Sequence, residues 1–578
     1  MSNISAKIRI RQADHHAYQT LLDAGTDPLL ARLCAARNVK TAAELGDKLA
    51  QLLPYGDLKN IAAATERLAR AIAHQERILI VADYDADGAT ACAVAMIGLA
   101  RMGAQVDFLV PNRFEHGYGL TPQLAEMAAE RQTQLIMTVD NGIASVAGVA
   151  HAQALGLDVL ITDHHLPGDT LPDCIIVNPN QPGCGFAAKS LAGVGVVFYV
   201  LMALRAHLRQ QQHFHPRLPE PNLAELLDLV ALGTVADVVS LDHNNRILVA
   251  QGIKRMRAGL MRPGIRALFD IAKRDWRKAQ PFDLRFAIGP RINAAGRLDD
   301  MSLGIACLLA ADDTGAQALA AQLDTLNRER RQIEHSMLDE ALAGLDNISA
   351  NQFSVVAYRD DWHQGVVGIV ASRLRERFHR PVIVFAPADN GEIRGSGRSI
   401  PALHLRDALD LVSKREPDLI LKFGGHAMAA GLSIAETELP RFQAAFEAVV
   451  AEWLNSDDLN QCYITDGVLD TEQLCLDQAQ QLAAQVWGQG FTPPSFTDEF
   501  TVLWQKPVGT QHLKAGLCKN GHTVEALFFR CTDTLPPTIR TVYRPVANEW
   551  RNQIELQLYV DYWEAGGTRT DGETPAPA

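Results

Sequence analysis

The sequence predicts an α/β protein of several domains: a parallel-sheet domain, a long connector helix, a second α/β domain and a small C-terminal β-barrel. Three observations carry this. Between residues 78 and 177, short apolar runs of strand length alternate with helical stretches. Such alternation means a parallel sheet with right-handed crossovers. Residues 314–345 hold Ala, Leu and many charges at helical spacing, and residues 460–563 hold strand-like runs separated by Gly and Pro. The 578 residues suggest three or four domains at roughly 150 residues each.

Taken in order, residues 1–45 read as an N-terminal extension, and 61–73 as a helix. Strands are predicted at 78–81, 106–110, 135–139, 159–162 and 175–177, with helices at 89–102, 121–130 and 144–154 between them. The apolar run 226–235 reads as a buried helix. Residues 254–297 change character, with twelve Lys and Arg against three Asp. The connector helix follows, then a second α/β pattern over 353–453. Strand-like runs at 501–504, 524–529 and 555–562 make the barrel, and the Pro- and Ala-rich end reads as a disordered tail.

Composition is ordinary for a globular chain, with 47% hydrophobic and 21% charged residues. This excludes a disordered, collagen-like or disulfide-scaffold protein. The net charge of −13 by itself argues against a nucleic-acid binder, although the basic segment reverses the sign locally. Nine scattered cysteines form no CxxC pair, which fits free thiols in a reducing compartment. The longest uncharged apolar stretch, 191–204, is shorter than the roughly 18 residues a bilayer span needs. With no secretory signal at the N-terminus, the expectation is a soluble cytoplasmic protein with no membrane segment.

Ligands of an open parallel sheet bind beyond the carboxyl ends of its strands. The first predicted strand ends in DYDADG (83–88), the second in PNR (111–113), the third in DNG (140–142), the fourth in DHH (163–165) and the fifth in NPN (178–180). Three of the five deliver carboxylates to one edge, and the fourth adds two imidazoles. Asp237, after the apolar helix, can reach the same edge. Clustered carboxylates repel one another, and divalent cations resolve the repulsion. Oxygen-rich ligation with a few imidazoles suits Mn²⁺ or Mg²⁺. There are more acids than one ion needs, so two ions sharing a carboxylate is the natural arrangement, a recurrent solution for phosphoester hydrolysis. Any single Asp at a strand end is more often a helix cap. An EF-hand would need Glu at the sixth position after Gly88, which is Val94.

These three motifs resemble those of the DHH phosphoesterase superfamily. GYGL (117–120), LAGVG (191–195), GTVAD (233–237), GPRINAAGR (289–297), WHQGVVGI (362–369), GSGRS (395–399) and FGGH (423–426) narrow the resemblance to its RecJ family, bacterial exonucleases specific for single-stranded DNA. The resemblance covers about residues 50–563. It implies a DHH phosphoesterase domain (46–245), a basic segment and connector helix (246–348), a DHHA1 domain (349–456), an OB-type barrel (459–563) and a tail (564–578). It implies 5′→3′ removal of mononucleotides by two-metal hydrolysis, in recombination and DNA repair, including mismatch repair. Asp87, Asp140, His164 and Asp237 would hold one ion; Asp83 and Asp85 would serve the other, with Asp140 bridging. His165 would lie beside the scissile phosphate, and Asp163 would orient a ligand histidine. Family partners would be a single-strand-binding protein and a RecQ-type helicase, with the chain itself a monomer. Two positions depart from the family pattern: Ser240, where Pro is common, and the segment WGQGFTPP (487–494).

The same residues suggest a path for DNA. Twelve cations in the basic segment can face phosphates, with Arg297 in a small-residue turn that permits close approach. Gly-rich turns at 395–399 and 424–426 would expose N–H groups to a phosphate, with Ser396, Arg398, Gly424, Gly425 and His426 as contacts. The barrel block is acidic, eleven acids to seven bases. Trp504, Tyr543 and Trp550 are its candidate stacking residues, core packing being the commoner use of such side chains. The competing classes are a DHH hydrolase of very short RNA, cyclic dinucleotides or pyrophosphate, and a non-catalytic scaffold; scaffolds lose metal ligands, and all the predicted ligands are present here.

Overall fold

A computed structural model describes residues 7–112, 117–345, 352–550 and 553–567. Arg113, the side chain of Trp550 and the tail from residue 568 lie outside the described residues. The chain divides into two compact units, residues 41–330 with 486–493, and the remainder. Among the described residues no helix is long and apolar enough to cross a membrane.

Strand β1 (Lys7–Ile10) opens the chain. In the first unit, β2 (Arg77–Ala82), β3 (Gln105–Leu109), β4 (Leu135–Val139), β5 (Asp158–Thr162) and β6 (Ile175–Val177) form an all-parallel sheet in the order β3-β2-β4-β5-β6. Its strands are apolar almost throughout because both faces are covered. Leu79, Val81, Ile136 and Ile161 pack with helices Pro122–Glu130 and Val146–Ala154. The other face meets helices Ala86–Arg101 and Gly193–Gln210, each buried over most of its length. The order reverses between β2 and β4, so a crevice opens beyond their carboxyl ends. Downstream lie the buried helix Leu227–Ala236 and a helical basic segment that includes Gly289–Leu298. The two departures from the family pattern meet here: Leu241 N donates to Gln489 O at 2.7 Å, and Gly490 sits against Ser240. The connector helix, Asp313–Gly344, is continuous.

In the second unit, β7 (Val355–Tyr358), β8 (Val382–Pro387), β9 (Glu392–Arg398), β10 (Lys422–Gly425) and β11 (Ala429–Ala435) form a sheet in the order β10-β11-β9-β8-β7, parallel only between β7 and β8. The segments read from sequence as Gly-rich turns are strands here. Residues 395–398 belong to β9, paired on both sides, so ladder bonds occupy its backbone rather than a ligand. Gly395 is small because a Cβ there would lie 2.6 Å from Phe385 and 2.8 Å from Leu432.

Strand β12 (Cys462–Thr465) pairs in parallel with β1. Within the N-terminal extension, residues 7–40 are therefore built into this unit. Sequence periodicity does not report a pairing 455 residues apart, as between Arg11 and Asp466. Arg37 Nη1 and Nη2 donate to the two Asp466 oxygens at 2.9 and 2.8 Å, all buried. Strands β13 (Phe496–Val508), β14 (His512–Lys519), β15 (His522–Phe528), β16 (Thr538–Trp550) and β17 (Gln553–Ala565) close an OB-type barrel. Tyr543 is fully buried and its hydroxyl donates to Asp498 Oδ2 at 2.6 Å, so it packs the core and cannot stack a base. Trp504 is part-exposed, with Lys506 Nζ 5.3 Å from its ring.

Removing one partner of a buried ion pair strands the other. Asp466→Ala should destabilise the second unit by about 3–5 kcal/mol, read as a lower denaturant midpoint for that unit's transition.

Candidate metal centre

Each carboxylate reaches the crevice for a local reason. Asp85 caps helix Ala86–Arg101, its Oδ1 accepting from Asp87 N at 2.9 Å and Gly88 N at 3.0 Å. Cap and metal-ligand readings therefore coexist, because one of its oxygens is left over. Asp87 is fully buried under the N-terminus of helix Gly193–Gln210, where Gly193 N and Val194 N donate to its two oxygens at 2.7 and 3.0 Å. Gly193 must be glycine for this, since a Cβ would lie 2.4 Å from Asp140 Oδ1. Asp83 and Asp140 follow β2 and β4 on either side of the strand-order reversal. Asp140 has φ 63°, a left-handed conformation uncommon outside glycine and typical of functional sites. Asn141 Nδ2 ties the two strand ends, donating to Val81 O at 3.0 Å and Val139 O at 2.9 Å.

The histidines are placed by a buried frame. Asp163 accepts from Ile143 N, His164 N, His165 N and His165 Nδ1 at 2.9, 2.7, 3.1 and 2.8 Å. The histidine it orients is therefore His165 rather than His164. Asn178 and Asn180 hold the carbonyls of His165 and His164 at 2.9 and 2.6 Å, so the amides after β6 brace this loop. His164 Nε2 faces Asp140 at 3.1 Å, Asp237 at 3.6 Å and Asp87 at 4.0 Å. The exposed Tyr118 of GYGL lies 3.4 Å from the His165 ring nitrogens.

Two ligand groups emerge, each with donor atoms within 4.8 Å of one another: Asp87, His164 and Asp237, and Asp83, Asp85 and Asp140. A third, Asp140 with His164 and His165, overlaps both groups through His164 and Asp140. His164 Nε2 and Asp140 Oδ1 are buried and face each other without a hydrogen bond. Orphaned polar atoms aimed at one point, in an oxygen-rich set, fit a hard divalent cation. The charge balance agrees. Burial and the neighbouring Asp85 push the Asp83 carboxyl up to about 8, and burial with Asp85 pushes Asp237 up to about 7. Burial, then the surrounding carboxylates, raise Asp87 and Asp140 well above the usual range. Burial and the charge of His165 hold His164 down at about 4, neutral and able to ligate. For His165 burial opposes the proton, but the Asp163 hydrogen bond and the carboxylate charges outweigh it, to about 9.

Helix Gly289–Leu298 supports the DYDADG loop from outside. Asn293 Oδ1 accepts from Ala86 N at 2.7 Å. A Cβ on Gly296 would lie 2.0 Å from Tyr84 O, so only glycine lets the helix approach. Arg297 is in this helix, not in a turn: the small residues serve helix–loop packing. Asn141, Gly193 and Asn293 were not singled out in the sequence; each lies inside a quoted motif, which was the available signal.

In the second unit the remaining candidates gather on one sheet. Ser396 on β9 and Gly424 on β10 both register with Gly431, and Arg398 registers with Ala429, whose carbonyl accepts from His426 N at 2.8 Å. Ser396 and Arg398, two apart, share a face, and Arg398 Nη1 donates to Ser396 Oγ at 3.1 Å. Gly368, near the start of helix Val367–Phe378, lies against both. The glycines at 424 and 431 leave that face low beside Ser396. Gly425 occupies the neighbouring row, at φ 143° where the hairpin turns. Burial, then the charge of Arg375, lower the Arg398 pKa, and no carboxylate pairs with it among the described residues. A buried arginine beside a second cation suits an anion.

A parallel sheet with an acid-and-imidazole cluster at its reversal point defines a metal-dependent phosphoesterase. The family described as DHH family, N-terminal domain, matches residues 77–234; the DHHA1 domain matches 351–452, and the RecJ OB domain 465–562. The single-stranded-DNA-specific exonuclease RecJ of Salmonella typhimurium is 49% identical over 570 residues, 96% of this chain and 98% of that one. That of Bacillus subtilis is 35% identical, over 92% of this chain and 67% of that one. The crystal structure of RecJ from Thermus thermophilus in complex with Mn²⁺ superposes with a TM-score of 0.84 at 29% identity, covering 100% of this chain and 82% of that one; its Mg²⁺ complex gives 0.77 at 28%, covering 98% and 80%. The chain belongs to the RecJ family of single-stranded-DNA-specific exonucleases.

Gly193→Ala places a methyl group on Asp140 and unseats Asp87. We expect Mn²⁺ affinity to fall about 10- to 100-fold, measured by calorimetric titration, with the fold retained.

Proposed function

We propose that this chain degrades single-stranded DNA in the 5′→3′ direction to 5′-mononucleotides, by phosphodiester hydrolysis at two Mn²⁺ or Mg²⁺ ions. The carrying observation is the buried carboxylate cluster with the orphaned pair His164 Nε2 and Asp140 Oδ1 at its centre. Asp87, His164 and Asp237 would hold one ion and Asp83, Asp85 and Asp140 the other, with Asp140, 3.1 Å from His164 Nε2, placed to serve both. Bound there, the ions polarise the phosphate and lower the pKa of an attacking water.

The chain's own residues do the rest. Asp163 fixes Nδ1 of His165 and keeps the imidazole protonated, so its remaining N–H is offered to a phosphate oxygen. Gly193 N and Val194 N aim Asp87 and partly offset the burial and neighbouring charges that raise its pKa. In the second unit the shelf of Ser396, Arg398, Gly424, Gly425 and His426 takes the 5′-terminal phosphate; in the first unit Arg297, on the helix that braces the metal loop, offers a cation to a phosphate of the strand. An OB barrel and family membership over nearly the whole chain favour long strands over dinucleotides.

Family membership also supports the wider setting: recombination and repair in the cytoplasm, a monomeric enzyme, a single-strand-binding protein that presents the strand, and a RecQ-type helicase that exposes it.

A 5′-phosphorylated single strand labelled at its 3′ end should shorten from the 5′ side with Mn²⁺ or Mg²⁺ and stay intact in EDTA. Asp140→Ala should reduce cleavage to the EDTA level. Turnover of short oligoribonucleotides alone would move the chain to another branch of DHH hydrolases, and DNA binding without hydrolysis would make it a scaffold.

A further inference from the structure

One feature of the basic segment is left unused by the metal centre and the phosphate shelf. The helical stretch leading to Gly289–Leu298 contains a wide turn, Leu284–Ile288, in which Gly289 N bonds Leu284 O five residues back. Pro290 accounts for it: proline has no N–H for the Phe286 carbonyl, and its ring would crowd that carbonyl in a regular helix. Such widened turns recur at functional sites. Here two large apolar side chains stand in solvent. Phe282 is 53% exposed and Phe286 51%, with ring centroids 4.7 Å apart. The Arg285 guanidinium lies 5.2 Å from the Phe286 centroid. Burial lowers its pKa. Among the described residues no carboxylate faces this half-buried arginine, and an exposed aromatic pair of this kind marks an interaction site.

We propose that Phe282, Arg285 and Phe286 form a stacking platform for an unpaired nucleobase of the DNA strand, with Arg285 taking the adjoining phosphate. This rests on the exonuclease reading and deepens it by naming where the strand is held as single-stranded. Charge favours DNA over a protein partner, because twelve Lys and Arg fall within residues 254–297 of a chain with net charge −13. Continuity favours it too. Gly289 abuts Ala236, the residue before Asp237, and the same helix reaches Ala86 through Asn293 and Tyr84 through Gly296. The platform is thus joined to the metal loop by a short, continuous helical stretch. Only a strand with unstacked bases can present a face to Phe286, so the platform selects against duplex.

The test uses full-length protein in an Asp140→Ala background, so that the strand is held uncut. A 5′-phosphorylated single strand carries 2-aminopurine at successive positions. One position should be quenched by stacking. The double variant Phe282→Ala with Phe286→Ala should abolish that quenching and weaken binding about tenfold, whereas Phe286→Trp should keep both. Arg285→Ala should lower the slope of log affinity against log salt by about one. Both rings are half-exposed, so the melting temperature should fall only slightly. Unchanged affinity and quenching in the double variant would overturn the platform, and a protein-docking role would replace it. The metal-dependent cleavage assay on the native sequence tests the exonuclease reading separately, so failure of either idea is visible without the other.

Discussion

Mutual repulsion among buried carboxylates is the constraint on which the rest of this molecule depends. Asp83, Asp85, Asp87, Asp140 and Asp237 converge where one negative charge alone would be costly to bury. Nothing in the local sequence would hold them together, so neighbouring elements do it. A helix N-terminus is set on Asp87, a second helix is capped by Asp85, and a third, Leu227–Ala236, ends where Asp237 begins. Asn141 laces the ends of β2 and β4, and Asn293 braces the loop from behind. The left-handed backbone at Asp140 is part of the same cost. All of this supports a site whose stable form contains cations.

The two histidines show how one loop produces two chemistries. His164 points into the carboxylates, is desolvated and stays neutral, as a ligand must. His165, one residue on, turns back onto Asp163 and keeps its proton. Consecutive residues of a loop leaving a strand face different ways, so the pair offers one neutral imidazole suited to ligation and one protonated imidazole suited to donation. The overall negative charge is consistent with a DNA enzyme for a related reason. Five of the acids form a cluster that fits divalent cations, and the basic segment 254–297 ends in the helix that braces that cluster's loop.

The fold was legible because its signals are local. Buried parallel strands read as apolar runs, and acids directly after them mark the ligand-binding edge, so Asp83, Asp140 and Asp163 could be placed before any coordinates. The candidate ligand groups follow the same logic. What was not legible depends on distance or on packing. The pairing of β1 with β12, and of Arg37 with Asp466, joins chain segments far apart in sequence. The glycines of 395–398 and 424–425 read as turns, because composition does not distinguish a glycine that turns from one that makes room for Phe385 in a sheet. Arg297 looked like a loop residue for the same reason, although its small neighbours serve helix packing. For Tyr543 the sequence leaves stacking and core packing both open, core packing being the commoner, and the barrel's closure buries it on Asp498.

The central claim is that this cluster is a two-cation site with Asp140 shared. Crystals grown with Mn²⁺ and measured at the manganese absorption edge test it most directly. The account predicts two anomalous peaks, one among Asp87, Asp140, His164 and Asp237, the other among Asp83, Asp85 and Asp140. A single peak, or peaks that leave Asp140 uncoordinated, would contradict it.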